Sequence, residues 1–428
     1  MVTGLKLALF GLLASALLGD THAVLAVEAP GTQASAAQSA GEWVPAWGLA
    51  PVNLEPVTIP IAGQTVRGFP RLSLGGERLR IQLSNARGTT SVLIGGVHVA
   101  RIAETSTVVP GSDRLLTFRG ATRVRLGPGA VLTSDPVQMR TQALESIALS
   151  VYLPESVGVI TALPVYAGVQ LSTNGDHSTE SSFPRTQGKL MPSLPDWMPT
   201  PMPYLAAVEV ELTRTAPGVI CFGDSITAGP YPSFLAERLQ AGGGMSLAVT
   251  NEGIGGNRIL HDSPRQFGMS FGPAGVTRFQ AALQAHPGAR AIIVLEGIND
   301  ILHPGLSAPI EESVTPADLI GGLERYIDLA HRAGVKIIGG TIAPFGGCCL
   351  DESEPPDDWG TREVVRQSVN WWIRSHKALD GMIDFDRVLR DPSHPERLRP
   401  AYDSGDHLHP NTAGYHAMAD AIDLRLVQ

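Results

Sequence analysis

The feature that most constrains this chain is a change of texture at Pro217. Before it, from about Trp43 to Thr213, short alternating runs follow one another: Arg78–Leu83, Ser91–Ile94, Arg123–Leu126 and Ser146–Leu153. Turn signals such as Gly75-Gly76 and Pro128-Gly129 separate them. Short strands at this spacing predict an all-β sandwich or jelly roll. After Pro217, apolar runs (Val219–Phe222, Leu247–Thr250, Ala291–Leu295, Lys336–Ile342, Met382–Phe385) alternate with helix-length amphipathic segments. Those segments are Tyr231–Gln240, Ala274–Ala285, Pro316–Ala333, Thr361–Ala378 and Thr412–Arg425. Alternating β and α elements predict a parallel sheet with helices on both faces, and a ligand site at the carboxyl ends of its strands.

The ends of the chain and the segment between the two textures read differently. Lys6 and the apolar run Leu7–Leu18, followed by small residues at Ala23 and Ala26, predict a secretory signal over residues 1–26. The run is shorter than the ~20 apolar residues a bilayer span needs. A secreted or periplasmic protein without a stable span after cleavage is therefore expected, with an uncleaved N-terminal anchor as the alternative. Residues 27–42 read as a flexible leader, 43–182 as the β domain, 183–216 as a connector and 217–428 as the α/β domain. Residues 183–204 hold six prolines, three of them directly after a methionine, while Ala206–Leu212 returns to alternation and is expected to pair back onto the β domain.

With a formal net charge of −9 the chain has no broad basic surface, which argues against a nucleic-acid partner. Three cysteines do not make a disulfide framework. Cys221 lies in an apolar run and reads as a buried thiol; Cys348 and Cys349 are neighbours in a loop, and their redox state stays open.

Four segments fall where an α/β site is expected. The first apolar run ends in Gly223-Asp224-Ser225-Ile226-Thr227, so Ser225 stands on a turn between a strand and a helix start. There a serine oxygen faces the crevice and the positive end of a helix dipole. The segment lacks the second glycine of the G-x-S-x-G elbow, and the plainer reading is a helix N-cap. The second run leads into Asn251–Asn257, whose glycines let backbone approach a ligand. The N–H of Gly256 can face an oxyanion, or the segment is a phosphate loop or an ordinary turn. The third run gives Glu296-Gly297-Ile298-Asn299-Asp300, where Asn299 is either an oxyanion donor or a turn residue. Before the last helix stands Asp403-Ser404-Gly405-Asp406-His407-Leu408-His409. Asp406 and His409 suit an orienting acid and a base. The rivals are a metal site from Asp403, Asp406, His407 and His409, or a solvated loop.

Together, Gly223-Asp224-Ser225, Gly256, Gly297-x-Asn299-Asp300 and Asp406-x-x-His409 resemble the four blocks of the SGNH, or GDSL, hydrolases, in that family's order. Ile226 stands where the family name expects Leu. The resemblance covers roughly residues 217–426. It implies a three-layer α/β/α flavodoxin-like domain, Ser225 as nucleophile, His409 as base and Asp406 as its partner. It also implies an oxyanion hole from Ser225 N–H, Gly256 N–H and the Asn299 amide. No metal or organic cofactor is required. Leu72-Ser73-Leu74-Gly75-Gly76, Leu83-Ser84-Asn85-Ala86-Arg87 and Leu295–Asp300 are similar to segments of a subgroup of secreted GDSL esterases that carry a β domain before the hydrolase. A short-chain, acetyl-type ester of a sugar or other polar alcohol is the expected substrate, because Gly253–Arg258 and Gly346–Trp359 hold few large aliphatic side chains. Trp43, Trp47, Trp359, Trp371 and Trp372 are candidate sugar-stacking surfaces. Lipid or lysophospholipid esters are the alternative, as is, in another class, a carbohydrate-binding or adhesion protein with minor catalysis.

Overall fold

A computed structural model of the chain describes residues 24–27, 41–54, 61–104, 106–157, 160–164, 169–186, 201–213, 216–242, 246–349 and 359–428. Lys6, the apolar run Leu7–Leu18, Ala23 and most of the expected leader lie outside the described residues. Ala26, the second expected cleavage point, stands in a strand, Val24–Val27, paired in parallel with Arg123–Leu126.

The C-terminal domain is built on five parallel strands: β1 (Gly218–Gly223), β2 (Ala248–Gly253), β3 (Ala289–Leu295), β4 (Lys336–Gly340) and β5 (Gly381–Ile383). Their order across the sheet is β2-β1-β3-β4-β5, the order of doubly wound flavodoxin-like sheets. Nine helices join and follow them among the described residues: α1 (Ser225–Ala228), α2 (Tyr231–Ala241), α3 (Gly275–Ala285), α4 (Ile298–Leu302), α5 (Pro316–Arg332), α6 (Trp359–Ser375), α7 (Phe385–Leu389), α8 (Thr412–Asp420) and α9 (Leu424–Val427). Because parallel crossovers are right-handed, the step from β1 to β2 puts α2 on one face. The steps toward β5, taken in the opposite direction, put α3, α5 and α6 on the other. The helix contacts agree: α2 packs on α8, whereas α3, α5 and α6 pack in succession.

Local chemistry explains these elements. β1 and β3 are buried on both faces, so Val219–Phe222 and Ala291–Leu295 read as unbroken apolar runs. α5 begins with Pro316 behind a capping box: Thr315 accepts from Asp318 N, and the Asp318 carboxylate accepts from Thr315 N. The expected last helix is divided. α8 ends at Asp420, and Asp423 caps a separate α9 by accepting from Arg425 N at 3.0 Å.

The described residues before Pro217 form strands and no helix. One sheet runs Val131–Thr133, Arg78–Ser84, Leu205–Leu212, Glu42–Gly48. A second runs Gln170–Asn174, Gln64–Gly68, Ile147–Leu153, Gly96–Glu104, Thr107–Val108. Inward residues such as Leu79, Ile81, Leu83, Val66 and Leu149 share one apolar core. Leu205–Leu212, at the end of the expected connector, lies between Arg78–Ser84 and Glu42–Gly48.

This half closes an edge of the parallel sheet. β2 is an edge strand with an unpaired row of backbone groups. The Val249 N–H donates to Ser73 Oγ at 3.0 Å, and Leu49 bridges Asn251 in parallel register. Ser73 Oγ in turn donates to Ala46 O at 2.7 Å, and Gln240 Nε2 donates to Ser73 O at 3.0 Å. An ion pair between Arg71 and Glu237 adds to the junction. Ala248 and Ile254, which flank the body of β2, belong to the N-terminal core.

Candidate active site

Ser225 is the first residue of α1 and follows β1 by a single residue. The turn is tight because a glycine precedes Asp224: a Cβ on Gly223 would stand 1.9 Å from Leu295 O. Asp224, buried, caps the helix by accepting from Ile226 N at 2.9 Å. This corrects the helix-cap reading of Ser225: the cap is Asp224, and Ser225 Oγ is engaged elsewhere. As the first helical residue, Ser225 has a backbone N–H with no intrahelical partner.

That Oγ lies 2.8 Å from His409 Nε2, and His409 Nδ1 lies 2.6 Å from Asp406 Oδ2. With Nδ1 protonated, the ring donates to Asp406 and Nε2 accepts from the serine hydroxyl. Asp406 Oδ1 meanwhile accepts from His409 N at 2.8 Å, Leu408 N at 3.0 Å and Ser404 Oγ at 2.9 Å. Burial alone raises the Asp406 carboxyl; the His409 ring and the two backbone N–H groups outweigh it and hold the group below the usual carboxylate range. The acid is therefore held in its ionised form.

The neighbouring pair is separate. Asp403 Oδ2 lies 2.5 Å from His407 Nδ1, and Asp403 Oδ1 accepts from Gly405 N and His407 N. Asp403 and Asp406 thus each serve their own histidine. Among the described residues, no group of three or more His, Cys, Asp or Glu side chains stands in a position to hold a metal ion.

The other two sequence blocks converge on the same rim. Gly256 follows β2 with a φ of +73°, and a Cβ there would stand 2.4 Å from the Phe271 ring. Glycine is required on both counts. Phe271 stacks on Phe267 at 4.6 Å between ring centroids. Asn299, in α4, is buried and donates from Nδ2 to Asn257 O at 3.0 Å, which leaves the second N–H of its amide. Asp300 is fully buried and accepts from Ile259 N at 2.7 Å and Leu260 N at 3.0 Å, tying the loop after β2 to α4. Burial pushes Asp300 up to about 7 and Asp224 up to about 8, in each case against the pull of backbone hydrogen bonds.

Sequence reasoning missed Asn257 and Arg278. Asn257 stands in the glycine-rich block but has no motif of its own. Arg278 sits on α3, where an arginine at an amphipathic position reads as surface; it is buried. Of the tryptophans, Trp371 is 69% exposed, Trp43 lies under Arg80 and Trp372 stacks on His376. The side chain of Trp359 is outside the described residues. Cys221 is fully buried, and Cys348 and Cys349 are joined by a disulfide.

A family model described as the GDSL-like lipase/acylhydrolase family matches residues 221–417. This domain belongs to that family. The match runs from inside β1 to inside α8 and so takes in all four blocks of the GDSL domain. No curated protein matches the chain. Solved structures similar to it include the aryl esterase of M. smegmatis, at 16% identity over 50% of this chain and 100% of that one, with a TM-score of 0.39. A GDSL-like lipase from Bacteroides thetaiotaomicron is 16% identical over 49% and 87%, with a TM-score of 0.35. A carbohydrate acetylesterase from Sinorhizobium meliloti is 16% identical over 48% and 95%, with a TM-score of 0.34.

Proposed function

We propose that the protein is a secreted or periplasmic serine esterase that removes short acyl groups, acetyl first, from a sugar or another polar alcohol. The observation that carries this reading is the chain Ser225 Oγ–His409 Nε2–Asp406 Oδ2, with steps of 2.8 and 2.6 Å. Ser225 Oγ attacks the ester carbonyl carbon while His409 Nε2 takes the hydroxyl proton. The carbonyl oxygen becomes an oxyanion held by Ser225 N–H, Gly256 N–H and the second N–H of the Asn299 amide. On collapse the carbon–oxygen bond to the alcohol breaks, and His409 returns the proton to the leaving oxygen. Water, deprotonated by His409, then attacks the acyl-serine; the acid leaves and Ser225 regains its proton. Asp406 holds the ring tautomer throughout and stabilises the imidazolium. No step calls for a metal or an organic cofactor.

Two observations support a short acyl group. The loop after β2 is closed against Gly256 by Phe271, itself stacked on Phe267. Burial of an acyl chain gains about 0.8 kcal/mol per CH₂ only where a lining exists for it, and the rim loops are rich in glycine. The N-terminal strands are read as a sandwich that closes the β2 edge, and residues 1–26 as the export signal. Among the described residues, no helix is long and apolar enough to cross a membrane.

The test is kcat/KM for p-nitrophenyl esters of two to twelve carbons, together with acetate release from acetylated xylan and pectin. The expected optimum is at two carbons, with acetate released from a glycan. An optimum at eight carbons or longer and no acetate from either glycan would overturn the reading in favour of a lipid ester.

A further inference from the structure

The three donors proposed for the oxyanion come from three different strand ends: Ser225 after β1, Gly256 after β2 and Asn299 after β3. Their spacing must be held to a fraction of an ångström to act on a developing charge, yet nothing in the triad links them. One buried cation does. Arg278, in the first turn of α3, lays its guanidinium over the Phe222 ring, 3.8 Å from the centroid. Its Nη2 donates to Gly223 O at 2.8 Å, at the end of β1. Its Nη1 donates to Glu252 O at 2.8 Å, near the end of β2. Its Nε donates to Asn257 Oδ1 at 2.6 Å. Glu296, at the end of β3, lies 3.6 Å from Nη2 and supplies the countercharge.

Asn257 carries the link onward. Its Nδ2 donates to Phe271 O at 2.7 Å and Pro273 O at 2.9 Å, while its Oδ1 faces Arg278, so the amide has one orientation. Its backbone O accepts from Asn299 Nδ2 at 3.0 Å. One N–H of the Asn299 amide is thereby fixed, and the second is aimed by the planarity of the group. The Asn257 N–H donates to Ile254 O at 3.1 Å and closes the turn that carries Gly256. We infer that Arg278 is the positioning residue of the oxyanion hole, setting the register of Gly256 and Asn299 against Ser225 through Asn257. Arg278 sends none of these three hydrogen bonds to Ser225, His409 or Asp406. Its planar fork serves three acceptors lying in different directions; a lysine ammonium keeps the charge but cannot reach all three from one nitrogen.

This inference rests on the serine-esterase reading, and the test separates the two. Arg278→Lys keeps the Coulomb partner of Glu296 and should lower kcat by about 10²-fold, the cost of one misplaced oxyanion donor, with KM changed by no more than about twofold. The pH dependence of kcat/KM should keep its wild-type shape, because the Ser225–His409–Asp406 contacts are untouched. In the N299A background the same Arg278→Lys change should cost less than about tenfold, since residues that act through one group are non-additive. Asn257→Leu cuts the link while leaving Arg278 in its socket, and it should reproduce the kcat loss if Arg278→Lys fails to fold. A folded Arg278→Lys with wild-type kcat, or a full and additive loss in the N299A background, overturns the inference; so does Asn257→Leu with unchanged kcat. If Ser225→Ala is itself active, the esterase reading fails first. If Ser225→Ala is dead while Arg278→Lys and Asn257→Leu turn over normally, only the role of Arg278 is lost.

Discussion

Asn299→Ala separates two consequences of one side chain. The amide has two N–H groups: one donates to Asn257 O at 3.0 Å, and the other is the proposed oxyanion donor. Loss of the second acts only when charge develops on the carbonyl oxygen, so kcat should fall by about 10²–10³, or roughly 2.7–4 kcal/mol of transition-state stabilisation. KM should hardly move, because the ground-state carbonyl has little to gain from the missing donor. Loss of the first leaves the Asn257 carbonyl without this partner in a buried place, which costs about 1–3 kcal/mol of stability. For a domain of this size that is a fall in melting temperature of roughly 2–12 °C. Steady-state kinetics on p-nitrophenyl acetate and a thermal melt read the two effects independently. Asn299→Asp is the companion: it has the same shape but no donors, and it sets a carboxylate against Asn257 O, so it should be at least as slow and less stable. A variant with raised KM and unchanged kcat would show that Asn299 binds the ground state, and the oxyanion assignment would be wrong.

Ser225→Ala should keep the circular dichroism spectrum and lose nearly all turnover of a chromogenic acetate ester; near-normal turnover in a folded variant sinks the serine mechanism. His409→Ala should be nearly as damaging and His407→Ala mild, because Nε2 of His409 faces Ser225 whereas His407 is paired with Asp403; the reverse ranking would move the base to the second pair. Asp224→Asn keeps the acceptor for Ile226 N and removes a buried acid whose folded pKa is about 8 against roughly 3.9 unfolded. A raised carboxyl pKa favours the fold at low pH, and that contribution is lost as pH rises through the folded value. The melting temperature of Asp224→Asn should therefore gain on wild type between pH 5 and pH 9, and a constant difference across that range would refute the argument.

What the sequence makes legible follows the range of the interactions. The strands of the parallel sheet are visible because burial on both faces demands unbroken apolar runs, as in Ala291–Leu295. Asp406 and His409 are visible because one turn joins them. The boundary after Asp420 is not: apolar residues continue past it, and only the capping role of Asp423 divides the helix. In the N-terminal half, alternation marks a strand such as Arg78–Ser84 but leaves its partners open. Their register depends on the shifts in Leu205–Leu212 between Leu205 and Ala207 and between Val208 and Glu209. Arg278 is the least legible residue of all. Its acceptors lie 21, 26 and 55 positions away, and no spacing rule brings an arginine on α3 to the ends of β1 and β2.

The two halves of the chain meet at the strand where precision matters. β2 is the edge of the parallel sheet and leads into Gly256, so any slack in its position reaches the proposed oxyanion hole. One side of the strand is paired to β1 from Gly218–Ala248 through Gly223–Gly253. The other side is held by the N-terminal half, through Ser73 on Val249 and Leu49 on Asn251. Its end is pinned by Arg278 on Glu252 O. An isolated edge strand twists and frays, and invites pairing with another chain; this one is clamped on three sides within seven residues of the proposed donor. On the proposed mechanism the N-terminal half therefore bears on catalysis even if it never touches substrate, because the strand it covers leads into one of the three groups proposed to hold the oxyanion.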